Sequence, residues 1–150
     1  REFLMPYEPR WAPDSLSKNF FLRRLKRQAE EVAHSRGAFF YIHDEQSGHI
    51  IGGININDIR LGAQRCGTLG YWLGQDHQGQ GYMREAARLL IDHAFNTLKL
   101  RRLHAACLID NDRSVNLLIS LGFEEEGYAK KYLQINGRWQ DHRLFGLCND

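Results

Sequence analysis

A strand, a glycine-rich loop and a helix follow one another between Cys66 and Leu98. Leu69, Tyr71 and Leu73 alternate along Cys66–Leu73, as in a half-buried strand. Ala86, Leu90, Ile91 and Ala94 share one face of Met83–Leu98, as in a buried helix. The polar loop Gly74–Gly81 lies between them. Its glycines let backbone N–H groups approach a ligand closely. The helix start adds its dipole and unpaired donors, which favours an anion such as a phosphate or pyrophosphate. The same glycines equally serve a tight turn that needs positive φ, and spacing alone does not separate the two. Two phosphate motifs are excluded. A P-loop ends in Gly-Lys-Ser/Thr, and here Tyr82-Met83 follows Gly81. A dinucleotide fingerprint needs a third glycine where Arg84 stands, and an acidic residue about 20 positions on that is missing.

The rest of the chain alternates in the same mixed way. Pro6, Pro9 and Pro13, with Tyr7 and Trp11, predict an extended aromatic loop. Asp14, Ser15 or Ser17 caps a predicted helix to about His34, with Phe21, Leu25, Ala29 and Val32 as its apolar stripe. The run Arg23–Arg27 reads as its solvated face. Ala38–Asp44, Ile50–Ile59 and Arg102–Ile109 are predicted strands, and Asn111–Leu121 a short helix ended by Gly122. Tyr128–Ile135 and Arg138–Phe145 flank Asn136-Gly137, a strong hairpin signal. The expected class is α+β (α/β mixed), around a mixed sheet.

Composition limits the function. With 43% hydrophobic residues in 150, the chain can bury a core, so disorder is excluded as its main state. A net charge of +2 is too balanced to mark nucleic acid as the main partner. Cys66, Cys107 and Cys148 are too far apart for a disulfide framework or zinc spacing, so no metal is expected. They suit a reducing compartment, and cytoplasmic localisation is the expectation. The longest apolar run, Ala38 to Ile42, is far short of a membrane span, and no signal-peptide pattern is seen.

Several ordered segments resemble the GNAT superfamily of N-acetyltransferases. They are Gly70-Tyr71-Trp72-Leu73, Gln78-Gly79-Gln80-Gly81-Tyr82-Met83-Arg84-Glu85-Ala86, Asn111-Asp112-Arg113-Ser114 and Leu121-Gly122-Phe123. The loop fits the Gln/Arg-x-x-Gly-x-Gly/Ala signature at Gln78 and Gly81. The closer resemblance is to ribosomal-protein alanine N-acetyltransferases of RimJ/RimL type. It includes Phe3–Pro9, Leu121–Lys130 and Gly137–His142, and spans nearly the whole chain.

The resemblance implies a GNAT-like fold: a central mixed, mostly antiparallel sheet with flanking helices and splayed central strands. It implies one such domain over 1–150, without the strand and helix that usually precede the Phe3–Pro9 loop. It implies acetyl-CoA as cofactor. The amides of Gln78, Gly79, Gln80, Gly81, Tyr82, Met83 and Arg84 would hold its pyrophosphate. Tyr71, Trp72 and Leu73 would pair with its pantetheine arm, and Asn111 would contact it. Asn111 also suits a helix N-cap. Many relatives protonate the leaving thiolate with a tyrosine, but Leu118 stands at that place. Enzymes acting on ribosomal proteins use a serine, which falls on Ser114; a capping role is the alternative. Thr68 and Ala106 occupy the usual places of the general base, and neither is a base. Glu8 is the candidate base or ammonium ligand. His77 and His104 are weaker candidates. Tyr7, Trp11, Tyr132 and the Asn136-Gly137 hairpin would flank the acceptor groove. Asp141 and His142 match without an assigned role.

The missing strong base bears on the acceptor. An α-amine, with pKa about 7.7–8.0, is roughly a tenth neutral at pH 7; a lysine, at about 10.4, is neutral in a few parts per ten thousand. Deprotonation is thus roughly 3 kcal/mol easier for an N-terminus. The expected reaction is acetyl transfer to a protein N-terminus, that of a ribosomal protein by resemblance. A small-molecule amine, such as an antibiotic or polyamine, is the rival acceptor. A non-catalytic acyl-CoA-binding module is the rival class. No membrane and no specific nucleic acid are expected as partners.

Overall fold

The computed structural model describes residues 2–149. After a 3₁₀ turn at Met5–Tyr7 come α1 (Lys18–Ala33), β1 (Ala38–His43), β2 (Ile50–Arg60) and β3 (Cys66–Leu73). A 3₁₀ turn at Gln75–His77 leads to α2 (Tyr82–Asp92), β4 (Arg102–Leu108), α3 (Asp112–Ser120), β5 (Glu124–Ile135) and β6 (Arg138–Cys148). The six strands form one sheet in the order β1-β2-β3-β4-β6-β5. Four of its pairs are antiparallel, and β3–β4 is parallel. The mixed, mostly antiparallel sheet with flanking helices is the expected one.

Strand alternation distributes the helices. Phe40 meets His93 edge-on at the end of α2, while its neighbour Tyr41 meets Phe21 of α1. Successive strand residues point to opposite faces, so α1 and α2 lie on opposite sides of the sheet. The core fills the α2–α3 side, where Ile54, Ile56, Leu69, Leu103 and Phe145 pack with Leu90 of α2 and Leu118 of α3. Leu118 is fully buried, so the place where relatives carry a tyrosine is part of this core.

Several local expectations hold. Ser17 caps α1 by accepting from the Phe20 N–H at 3.1 Å. Asn136 and Gly137 both adopt positive φ (46° and 80°), as a two-residue hairpin turn of this kind requires. Others are corrected. The Met83–Leu98 helix is α-helical only to Asp92 and continues as a π turn, His93–Thr97, closed by Leu98 N–H on His93 O. The inward face of α1 runs through Phe21, Arg24, Leu25 and Gln28, while Ala29 and Val32 are exposed. Arg24 is therefore partly covered: its guanidinium lies over the Phe21 ring and its Nε is buried without a partner.

Candidate active site

The parallel pair β3–β4 holds only through Cys66↔Arg102, Gly67↔Leu103 and Thr68↔His104. Beyond that, β3 stays with β2 as far as Leu73, and β4 stays with β6 as far as Leu108. Leu69–Leu73 and Ala105–Leu108 thus present unpaired edges to each other across a slot. Such an edge accepts an extended ligand carrying amides as an added strand. The strand splay expected from the resemblance is present.

Both strands point their C-terminal ends at the mouth of this slot. There Gly79 and Gly81 adopt φ of 72° and 88°. A Cβ at either would meet nothing within 4 Å, so their requirement is conformational, not steric. The turn reading of these glycines is therefore correct, and it is compatible with the anion reading. Gly81 caps α2 without a side-chain bond. The Glu85 N–H reaches Gly81 O at 3.1 Å, while among the described residues the amides of Gly79–Arg84 have no backbone acceptor. Gln80 folds the loop back by donating from Nε2 to Asp76 O at 3.0 Å. These free amides at a helix start fit a pyrophosphate.

The opposite rim is the first turn of α3. Asn111 caps it, its Oδ1 accepting from the Ser114 N–H at 3.3 Å. Arg113 donates to the Gln78 side-chain oxygen and ties this rim to the glycine loop. The sequence reading gave Arg113 no role; its place between Asn111 and Ser114 was the available signal. The Tyr71 side chain of β3 faces Ser114 across the slot. Burial pushes the Tyr71 phenol up to about 12, so it stays protonated throughout the neutral range. Burial likewise pushes the Cys107 thiol, on the facing wall of β4, up to about 11. Such a thiol is no thiolate nucleophile near neutrality.

Glu8 lies at a different place, the β5–β6 hairpin, and the Met5–Tyr7 turn packs against β5, the strand that carries Tyr132. The Glu8 carbonyl accepts from the Asn136 N–H at 2.9 Å. Its carboxylate accepts from the Trp11 indole at 2.7 Å. Burial raises the Glu8 carboxyl above its usual range, which the Trp11 bond and nearby Arg24 partly offset. Tyr132 is half exposed and packs its ring against buried His142, whose Nδ1 lies 3.0 Å from Gln140 O. Asp141 takes hydrogen bonds from the Tyr128 phenol and the Lys131 N–H, which hold its carboxyl below the usual range. β6 is antiparallel to β4, so this hairpin extends past Leu108, on the side where the slot opens. Among the described residues no hydrogen bond joins Glu8 to Ser114. His104 sits beside Thr68 where the strands part, and burial with nearby Arg102 lowers its pKa. Its Nδ1 is already approached by Arg102 Nε at 3.4 Å. A groove of about 600 Å³ lies away from the slot, between β1 and α2, lined by Phe40, Ile42, Leu89 and His93.

The sheet parted at its parallel pair, with unpaired helix-start amides at the gap, fits the GNAT-like fold that the resemblance implies. The chain belongs to the GNAT family of acetyltransferases: residues 1–124 match the acetyltransferase (GNAT) domain. It is 38% identical over 149 residues to the [ribosomal protein uS5]-alanine N-acetyltransferase of Escherichia coli, covering 98% of this chain and 76% of that protein. The crystal structure of the ribosomal-protein-S5-alanine acetyltransferase from Vibrio fischeri superposes with a TM-score of 0.96 at 36% identity, covering 100% and 82% of the two chains. Mycobacterium smegmatis RimJ in complex with CoA-disulfide superposes at 0.92 and 29%, covering 98% and 71%. GNAT acetyltransferases use acetyl-CoA. No helix among the described residues is long and apolar enough to cross a membrane.

Proposed function

We propose that this chain transfers the acetyl group of acetyl-CoA to the N-terminal α-amine of a protein, a ribosomal protein in the first instance. The observation that carries the reading is the slot: two unpaired strand edges leading to free amides at the start of α2. The uS5-alanine acetyltransferase relatives support the acceptor class.

When bound, acetyl-CoA supplies an activated acyl thioester. The residues of this chain do the rest. The amides of Gly79–Arg84 would hold the pyrophosphate, with the Gln78 side chain anchored by Arg113; the Gln78 N–H, expected to join them, is instead given to Gln75 O at 3.3 Å. The slot edge at Tyr71–Leu73 pairs with the pantetheine amides, and Asn111 fixes the opposite rim. Tyr7, Glu8 and Tyr132 receive the acceptor at the hairpin, where the Glu8 carboxylate binds or deprotonates the ammonium. The Ser114 hydroxyl gives its proton to the departing thiolate.

The test is CoA release with acetyl-CoA and three acceptors: a peptide with a free N-terminal alanine, the same peptide blocked at its N-terminus but carrying lysine, and a polyamine. Turnover is expected with the free N-terminus, at least tenfold above the other two. Preference for the polyamine or the lysine overturns the acceptor class, and CoA binding without turnover on any acceptor overturns the enzyme reading.

A further inference from the structure

The first turn of α3 reaches the glycine loop through one side chain. Arg113 donates from Nη1 to Oε1 of Gln78, across the mouth of the slot. The loop's other glutamine, Gln80, is spent on the loop itself, donating to Asp76 O at 3.0 Å. A guanidinium carries several N–H donors in a planar fork, and Gln78 takes one of them. Among the described residues no other hydrogen bond and no ion pair engages Arg113. Arg23, Arg36, Arg102 and Arg143 are each held by a carboxylate. Arg113 is held by a neutral amide, so its charge is not cancelled. Gln78 stands next to Gly79, where the run of amides without a backbone acceptor begins. The guanidinium is thus fixed at the edge of that run, with donors to spare.

We propose that Arg113 is the cation of the cofactor site: held in place by Gln78, its guanidinium binds the pyrophosphate of CoA together with the Gly79–Arg84 amides. The inference rests on the acetyltransferase reading above. The amides supply only partial charge, whereas each phosphate of the ligand carries a full negative one. An arginine fork meets two phosphate oxygens at once, which a point charge does not. A free arginine side chain loses rotamer freedom when it binds, and the bond to Gln78 orders it beforehand. Gln78 is therefore a positioning residue, and it positions the fork without neutralising it.

Calorimetry with CoA and dephospho-CoA tests this without turnover. Arg113→Ala is expected to raise the Kd for CoA at least about tenfold, the contribution of a charge-assisted hydrogen bond. The same factor is expected with dephospho-CoA, which lacks the 3′-phosphate; a loss confined to CoA overturns the pyrophosphate assignment. Arg113→Ala is also expected to flatten the rise of Kd with salt, because a full charge has left the site. Gln78→Ala removes the holder alone. It is expected to cost about threefold, to keep the salt dependence, and to add nothing in the Arg113→Ala background. Arg88→Ala removes the same charge further along α2 and is expected to change Kd by less than about twofold. An unchanged salt dependence in Arg113→Ala would make the contact a structural tie, and an equal loss in Arg88→Ala would make the effect one of net charge; either overturns the proposal. Arg113 is exposed, so its variants are expected to melt with the wild type when no ligand is present. A wild type that binds CoA but acetylates no acceptor overturns the proposed reaction and leaves these binding measurements readable. A wild type that does not bind CoA overturns both.

Discussion

Glu8 is held by opposing forces. Burial raises its carboxyl pKa, while the Trp11 indole and Arg24 pull it back. The folded chain binds the Glu8 proton more tightly than the unfolded chain. Its contribution to stability is therefore full below the unfolded pKa and is lost as pH rises through the higher folded value. Glu8→Gln removes the charge but keeps an oxygen for Trp11 Nε1, bonded at 2.7 Å. Because Glu8 is only about half buried, solvent screens the effect, and the variant is expected to melt about 1–2 °C above wild type at pH 7–8. The gap should close toward pH 4, and melting curves displaced equally at every pH would contradict it. The same variant is expected to lose at least tenfold in kcat/KM, since the acceptor ammonium loses its carboxylate. A site residue that makes the fold less stable at working pH is what a functional carboxylate looks like.

The start of β5 shows which elements can be read from local pattern. Glu124-Glu125-Glu126 is a poor strand by propensity, and the sequence suggests a strand only from Tyr128. The structure begins it at Glu124 because neighbours supply cations. Arg143 on β6 grips Glu125 with two bonds of 2.8 and 2.6 Å, and Arg102 on β4 reaches Glu126 over the intervening β6. Gly146 makes that crossing possible, since a Cβ there would lie 2.4 Å from Arg102 Nη2 and 2.6 Å from Glu126 Oε1. Gly146→Ala is expected to push the flexible pair aside and cost about 0.2–1 kcal/mol. The loss should shrink in high salt when measured by urea unfolding, and a loss independent of salt would point to backbone strain instead. The Asn136-Gly137 turn and the Gly79/Gly81 loop were legible because each rests on positive φ that glycine or asparagine signals locally. The π turn at His93–Thr97 and the inward Arg24 were not, because both are set by packing against strands far away in sequence. In the site, loop and rim were readable as motifs. The Arg113–Gln78 contact was not, since it joins elements brought together only by the fold.

At the scale of the whole molecule, the sheet is two blocks. β1, β2 and β3 form one and β4, β6 and β5 the other, joined by three register pairs and the core beneath. A ligand lying in the slot as an extra strand binds the folded chain alone. At a hundredfold above its Kd it adds about 2.7 kcal/mol, which for 150 residues is a rise in Tm of about 5–10 °C. CoA and acetyl-CoA are both expected to produce this rise in thermal melts. With them, amide exchange at Leu69–Leu73 and Ala105–Leu108 should slow more than at β1 or β5. Uniform slowing over all six strands would contradict the two-block picture. Opening of the parted sheet exposes chain to proteases, and the population of the open form falls as ligand concentration rises. The lifetime of this protein in a lysate would therefore follow the combined pool of acetyl-CoA and CoA, lengthening in plenty and shortening in scarcity, with no separate sensor.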